Sequence, residues 1–201
     1  MSQFTVCSLE DVLSVYGEER TGIILSAFTC PKNAEVESFI RDKAIQSTKL
    51  ETSVSYLVFE AGVLQPVAYF TLTLKPIEIP ASKLTAKATR MVKRFARLNA
   101  GRGSYTIAAY LVAQLGRNFA VEDEKKIEGR DLMSLILGQI RNAKKHVGGK
   151  IAFLECEKDR PALKKFYEDN KFVSWSERTD PDDKISYEQM FTVVERGPVG
   201  L

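Results

Sequence analysis

Tyr105–Leu115, YTIAAYLVAQL, runs apolar almost without alternation and reads as a buried central strand. A polar stretch, Arg117–Glu128, follows it. A helix then runs from Gly129 to Lys145, with Leu132, Met133, Ile136, Leu137 and Ile140 at helical spacing. A strand feeding a helix start presents backbone N–H groups and the positive end of a helix dipole, which favour an anion such as a pyrophosphate. Gly129 lets a phosphate approach the backbone, and Lys125, Lys126 and Arg130 add positive charge. The same residues also suit an ordinary strand–helix connection with a solvated charge cluster, and taken alone they leave both readings open.

Working upstream, Gly101-Arg102-Gly103 marks a turn. A basic amphipathic helix is expected from about Ser82 to Leu98, and Lys83–Arg102 contains no acid. Such a face suits phosphate, an acidic partner or simple solvation. Ser53–Glu60 and Pro66–Leu74 flank an Ala61-Gly62 turn and form a hairpin. Before it, Asn33 caps a helix carrying Val36, Phe39, Ile40 and Ala44 on one face, and a first strand, Phe4–Cys7, and a short helix, Asp11–Tyr16, open the chain. Downstream come the buried strand Lys150–Glu155, a short helix starting at Pro161, and strands Phe172–Ser176 and Tyr187–Val194. This order predicts an α/β fold in one domain over residues 1–201, with a mixed central β-sheet flanked by helices on both faces.

Composition narrows the chemistry. With 201 residues, 44% hydrophobic and 27% charged, the chain suits one globular domain. No apolar run nears the roughly 20 residues that cross a bilayer, and the N-terminus lacks a secretory pattern, so a cytoplasmic protein without membrane contact is expected. Cys7, Cys30 and Cys156 are widely spaced and read as reduced thiols; with His146 the only histidine, neither a metal site nor a Cys–His pair is expected. His146 follows Lys144 and Lys145 near a helix C-terminus, where a cation is favoured, and reads as structural.

The remaining motif is Leu163-x-x-Phe166-Tyr167-Glu168-x-x-Lys171-Phe172, after the buried strand. Phe166 and Phe172 read as core anchors. Tyr167 is either a packed residue with a satisfied hydroxyl or an acid catalyst.

Together, Phe28-Thr29-Cys30, SVSYLVFE with PVAYFTLTL, AQLGRN, EGRDLM and FYEDNKF resemble the GNAT superfamily of N-acetyltransferases in order and spacing, over about Phe28–Phe172. The first half is similar to the branch of bacterial toxins that acetylate aminoacyl-tRNA. The resemblance implies a splayed central strand whose backbone at Gln114 and Leu115 pairs with the pantetheine of acetyl-CoA. It also implies a loop of Lys126, Ile127, Glu128, Gly129, Arg130, Asp131 and Leu132 around the pyrophosphate, and Tyr167 as the group that serves the departing thiolate. Two positions depart from the loop pattern: Ile127 stands for its first glycine and Glu124 for its leading Gln/Arg. Lys171 replaces the glycine that usually precedes the last Phe.

On this resemblance the expected reaction is direct acetyl transfer from acetyl-CoA to a primary amine, with no metal. An α-amine with pKa near 8 is substantially neutral at physiological pH, whereas a lysine near about 10.4 needs a base. The expected acceptors are therefore aminoacyl-tRNA or a small amine, and the expected partners a second copy of the chain or an antitoxin. The alternative reading is a catalytically degenerate domain that binds acyl-CoA and works as a regulatory or interaction module.

Overall fold

A computed structural model describes residues 4–122, 126–182 and 184–195. The elements are β1 (Phe4–Ser8), α1 (Leu9–Ser26), α2 (Ala34–Ser38), α3 (Ala44–Lys49), β2 (Val54–Glu60), β3 (Ala68–Pro80), α4 (Ala86–Val92), β4 (Leu98–Asn99), β5 (Ser104–Arg117), α5 (Gly129–Val147), β6 (Ile151–Glu157), α6 (Pro161–Asp169), β7 (Val173–Thr179) and β8 (Ser186–Val193). The architecture is mixed α/β. The hydrogen-bonded strand order is β1-β2-β3-β5-β6-β8-β7, with β4 on β5. The residues divide into two compact units, and β3 and β5 each contribute to both.

The first unit holds residues 4–73, 112–122 and 126–136. Antiparallel pairing sets Phe4 against Glu60 and Val54 against Leu72, so the predicted hairpin forms with β1 added at its edge. Asn33 caps as expected, its side chain accepting from Val36 N–H at 3.1 Å. Val36, Ile40 and Ala44 then bury one face through a π-type turn at Phe39–Lys43. They pack with Leu9, Leu25, Phe28 and Tyr69. The first helix runs well past Tyr16, to Ser26, because Gly17 takes φ 73° and the chain bends there rather than stopping.

The second unit holds residues 74–111, 137–182 and 184–195. Within it β5 pairs with β6 in parallel at Tyr110↔Ala152 and Leu111↔Phe153. Strand β6 is antiparallel to β8, and β7 is antiparallel to β8 with an irregularity between Ser174 and Ser176. Its core includes Ile79, Val92, Tyr105, Ile151, Phe153 and Phe191.

The basic helix expected over Ser82–Leu98 is much shorter than that. Strand β3 continues through Pro76 to Pro80, with Pro76 exposed where its missing N–H costs nothing. Thr85 then caps α4, accepting from Ala88 N–H at 3.2 Å, and the helix gives way to a turn at Lys93. Thr85 fixes the start because its hydroxyl satisfies a donor that Ser82 leaves unmet.

Candidate functional site

Within the first unit, Asn118, just past the end of β5, is fully buried. Its Oδ1 accepts from the Thr29 and Ala120 N–H groups at 3.0 Å, its Nδ2 donates to the Pro66 carbonyl at 2.9 Å, and its own N–H donates to the Val67 carbonyl at 2.8 Å. The Phe119 N–H returns to the Thr29 carbonyl at 2.7 Å. Two pieces of the resemblance, Phe28-Thr29-Cys30 and AQLGRN, are thus joined directly. Gln114 donates to Glu35 at 3.2 Å, and Leu115 is half-buried.

Gly116 sits between them for a steric reason: a Cβ there would lie 2.5 Å from Val36 Cγ1 and 3.4 Å from the Tyr69 ring. Tyr69 is fully buried and its hydroxyl donates to the Val36 carbonyl at 2.6 Å, which holds α2 against this strand.

Helix α5 begins at Gly129, as expected, and closes its first turn with Leu132 N–H donating to the Glu128 carbonyl at 3.0 Å. Leu132 and Met133 are buried, whereas Glu128, Arg130 and Asp131 are exposed. Ile127, at the position of a family glycine, is only 1% exposed. Its side chain serves as a core anchor, and its carbonyl accepts from Arg117 Nη1 at 3.4 Å. Asp131 lies in the first helical turn, where it stabilises the dipole. Glu124 and Lys125 lie outside the described residues.

The Phe119 ring gathers three cations: Lys32 Nζ at 5.4 Å, Lys126 Nζ at 5.6 Å and Arg117 Cζ at 5.7 Å. Lys32 is distant in sequence, and the bonds of Thr29 to Asn118 and Phe119 bring its segment here. Sequence reasoning missed this group and Asn118 alike, because neither follows from local periodicity.

In the second unit, Pro161 opens α6 and directs Tyr167 inward. Tyr167 is 3% exposed, more buried than Phe166, which is only partly covered. The expected core anchor Phe166 is therefore second to Tyr167, while Phe172 is buried as expected. The Tyr167 ring lies 5.4 Å from that of Phe166 and 6.1 Å from that of Phe172. Its hydroxyl forms no hydrogen bond among the described residues. Burial first, and then the neighbouring Cys156 thiol, push the phenol well above its ordinary value, so it stays protonated and keeps a proton to donate.

Cys156 is buried on β6, and burial, with Glu188 and Glu157, pushes its thiol up to about 11. Glu155 is committed elsewhere. Arg178 donates Nε to Oε1 at 3.1 Å and Nη2 to Oε2 at 2.8 Å, and Gln189 donates to Oε1 at 2.8 Å. Burial would raise this carboxyl, yet those bonds and the charges of Arg178 and Lys75 hold it below the usual carboxylate range. Such a carboxylate is a poor base. Among the described residues no group of His, Cys, Asp or Glu is arranged to hold a metal ion. None of their helices is long and apolar enough to cross a membrane.

Neither a family profile nor a curated protein matches the chain. Solved structures do. AtaT complexed with acetyl-methionyl-tRNAfMet aligns over 94% of this chain and 94% of its own, with TM-score 0.64 at 14% identity. A Tyr→Phe mutant of KacT aligns over 96% of both chains, with TM-score 0.63 at 14% identity. The chain has the AtaT and KacT fold. A Tyr→Phe mutant of the AtaT toxin, bound to the C-terminus of the antitoxin AtaR and acetyl-CoA, aligns over 96% of this chain and 94% of its own, with TM-score 0.59 at 13% identity. This is the fold that the resemblance to GNAT acetyltransferases implied.

Proposed function

We propose that the chain, as one catalytic domain over residues 1–201, is an N-acetyltransferase that moves the acetyl group of acetyl-CoA to the α-amine of an aminoacyl-tRNA. The observation that carries this reading is Tyr167: a buried, protonated phenol whose hydroxyl bonds no other described residue, in the FYE motif of a chain with this fold. That acetyl-CoA and acetyl-methionyl-tRNAfMet accompany similar structures supports the choice of both substrates.

In this scheme the backbone at Gln114 and Leu115 holds the pantetheine, and Lys126–Leu132 hold the pyrophosphate. The neutral amine attacks the thioester carbonyl, forming the C–N bond. The tetrahedral intermediate collapses, the C–S bond breaks, and the departing thiolate accepts a hydrogen bond from Tyr167. The proton lost by the amine ends on the thiol or in solvent. Moving the phenol proton fully to sulfur is uphill by roughly 2 kcal/mol even at ordinary pKa values, and burial makes it worse. Tyr167 therefore acts as a hydrogen-bond donor or gives its proton only as the intermediate collapses. Glu155, saturated by Arg178 and Gln189, plays no base role, which suits an α-amine that needs little help. An antitoxin or a second copy is the protein partner this reading anticipates.

The test is incubation of purified protein and acetyl-CoA with charged and uncharged tRNA. N-acetyl-aminoacyl-tRNA should form only from the charged pool, and inactivity on both rejects the reading. A second reading is favoured by one observation, the buried Ile127 in place of a phosphate-facing glycine. It makes the chain an acyl-CoA-binding regulator, and saturable acetyl-CoA binding without turnover on a broad amine panel selects it.

A further inference from the structure

All 26 acidic residues lie outside Ile79–Val121, a stretch that holds Lys83, Lys87, Arg90, Lys93, Arg94, Arg97, Arg102 and Arg117. The near-neutral total of +3 therefore conceals a strongly basic segment in an otherwise acidic chain. Packing turns most of it outward on one element. Ala88 and Val92 are buried in the core of the second unit, with Leu84, Met91, Phe95 and Ala96 packed against it. That anchoring leaves Lys83, Arg90, Lys93, Arg94 and Arg97 exposed along α4 and the turns beside it.

None of these five is in an ion pair among the described residues. The nearest acid in sequence, Glu78, is already engaged by Ser104 and by Arg102, whose Nη1 lies 3.7 Å away. The half-buried Phe95 ring carries Arg94 Cζ at 5.9 Å and, from outside this stretch, Lys150 Nζ at 5.1 Å, so one of the five cations is partly ordered in advance.

We infer that this face binds the phosphodiester backbone of the RNA that carries the acceptor amine. The choice of RNA rests on the acceptor proposed above; the face itself does not. Three considerations favour phosphates over the carboxylates of an acidic protein. The cations are spread along a surface rather than collected in a pocket. Arg90, Arg94 and Arg97 present planar forks that pair with phosphate oxygens two at a time. No acid is interleaved to select against a dense polyanion, which gains from releasing its counterions. Contacts of this kind position a substrate without reading its sequence.

The experiment measures binding of an uncharged RNA hairpin to the full-length protein at several salt concentrations, without acetyl-CoA. The wild type is compared with a variant carrying Arg90→Gln, Lys93→Gln, Arg94→Gln and Arg97→Gln; these side chains are exposed, so its melting temperature serves as the control for folding. Affinity for the wild type should fall steeply with salt. In the variant, log K against log salt should flatten by about 0.9 for each duplex phosphate that is no longer neutralised, hence by roughly 2 to 4, with binding weaker at least tenfold at low salt. Equal affinity and slope in the two proteins overturn the inference. So does loss of binding to polyglutamate with RNA unaffected. RNA binding through this face without acetylation of charged tRNA rejects the proposed function alone; acetylation with unaltered RNA binding rejects this inference alone.

Discussion

The carbonyl of Tyr167 accepts the N–H of Phe172 at 3.0 Å, while Lys171 N–H donates to the Glu168 carbonyl at 2.9 Å. These are the two bonds of a Schellman cap, and the Tyr167–Phe172 ring contact is its hydrophobic partner. The tyrosine assigned to the thiolate is therefore fixed at both backbone and ring.

That cap requires a left-handed residue, and Lys171 supplies it at φ 68°. A non-glycine residue there costs roughly 1–2 kcal/mol, partly offset by the entropy a glycine loses. Lys171→Gly should raise stability by about 0.5–1 kcal/mol in denaturant unfolding without reducing acetyl transfer. An unchanged or lowered midpoint contradicts the cap.

Gly116→Ala forces its new Cβ against Val36 Cγ1, and should destabilise by about 1–3 kcal/mol. Val36→Ala in the same chain removes the clash. The double variant should therefore lie closer to Val36→Ala than additivity predicts, a coupling that a double-mutant cycle reads directly.

The Glu155–Arg178 pair gives a pH signature. Because the folded carboxyl is held below its ordinary value, its contribution is complete above about pH 4.3 and is lost as pH falls through the folded pKa. Glu155→Gln should be less stable than wild type at neutral pH, and the gap should narrow below about pH 4. A gap that stays constant down to about pH 2 shows the pair to be uncoupled from folding.

Thiol labelling reports the buried cysteines. With Cys156 pushed up to about 11 and Cys30 also buried, alkylation of the native protein at mildly alkaline pH should mark half-buried Cys7 first. The other two should react only on unfolding. Rapid native labelling at Cys156 contradicts the packing around Tyr167.

Much of this was legible from residues in order. The run YTIAAYLVAQL became Ser104–Arg117, the helix began at Gly129, and Asn33 and Pro161 opened helices, because each signal is local. The basic helix was overextended because charge pattern shows which face is wet but not where a cap lies; Thr85 decided that. Asn118 and the cations around Phe119 were invisible because their partners are up to 89 residues away. Lys171 hid its turn by occupying, under strain, a place where glycine announces it. Hydrophobicity alone marks Phe166 as the anchor, whereas helix geometry points Tyr167 inward.

The most direct measurement is single-turnover acetyl transfer to charged tRNA by wild type and Tyr167→Phe, with acetyl-CoA binding determined in the same samples. The account predicts equal binding and folding, since the hydroxyl bonds no other described residue, and transfer slower by about 100-fold or more in the variant. Equal transfer rates in the two proteins contradict it.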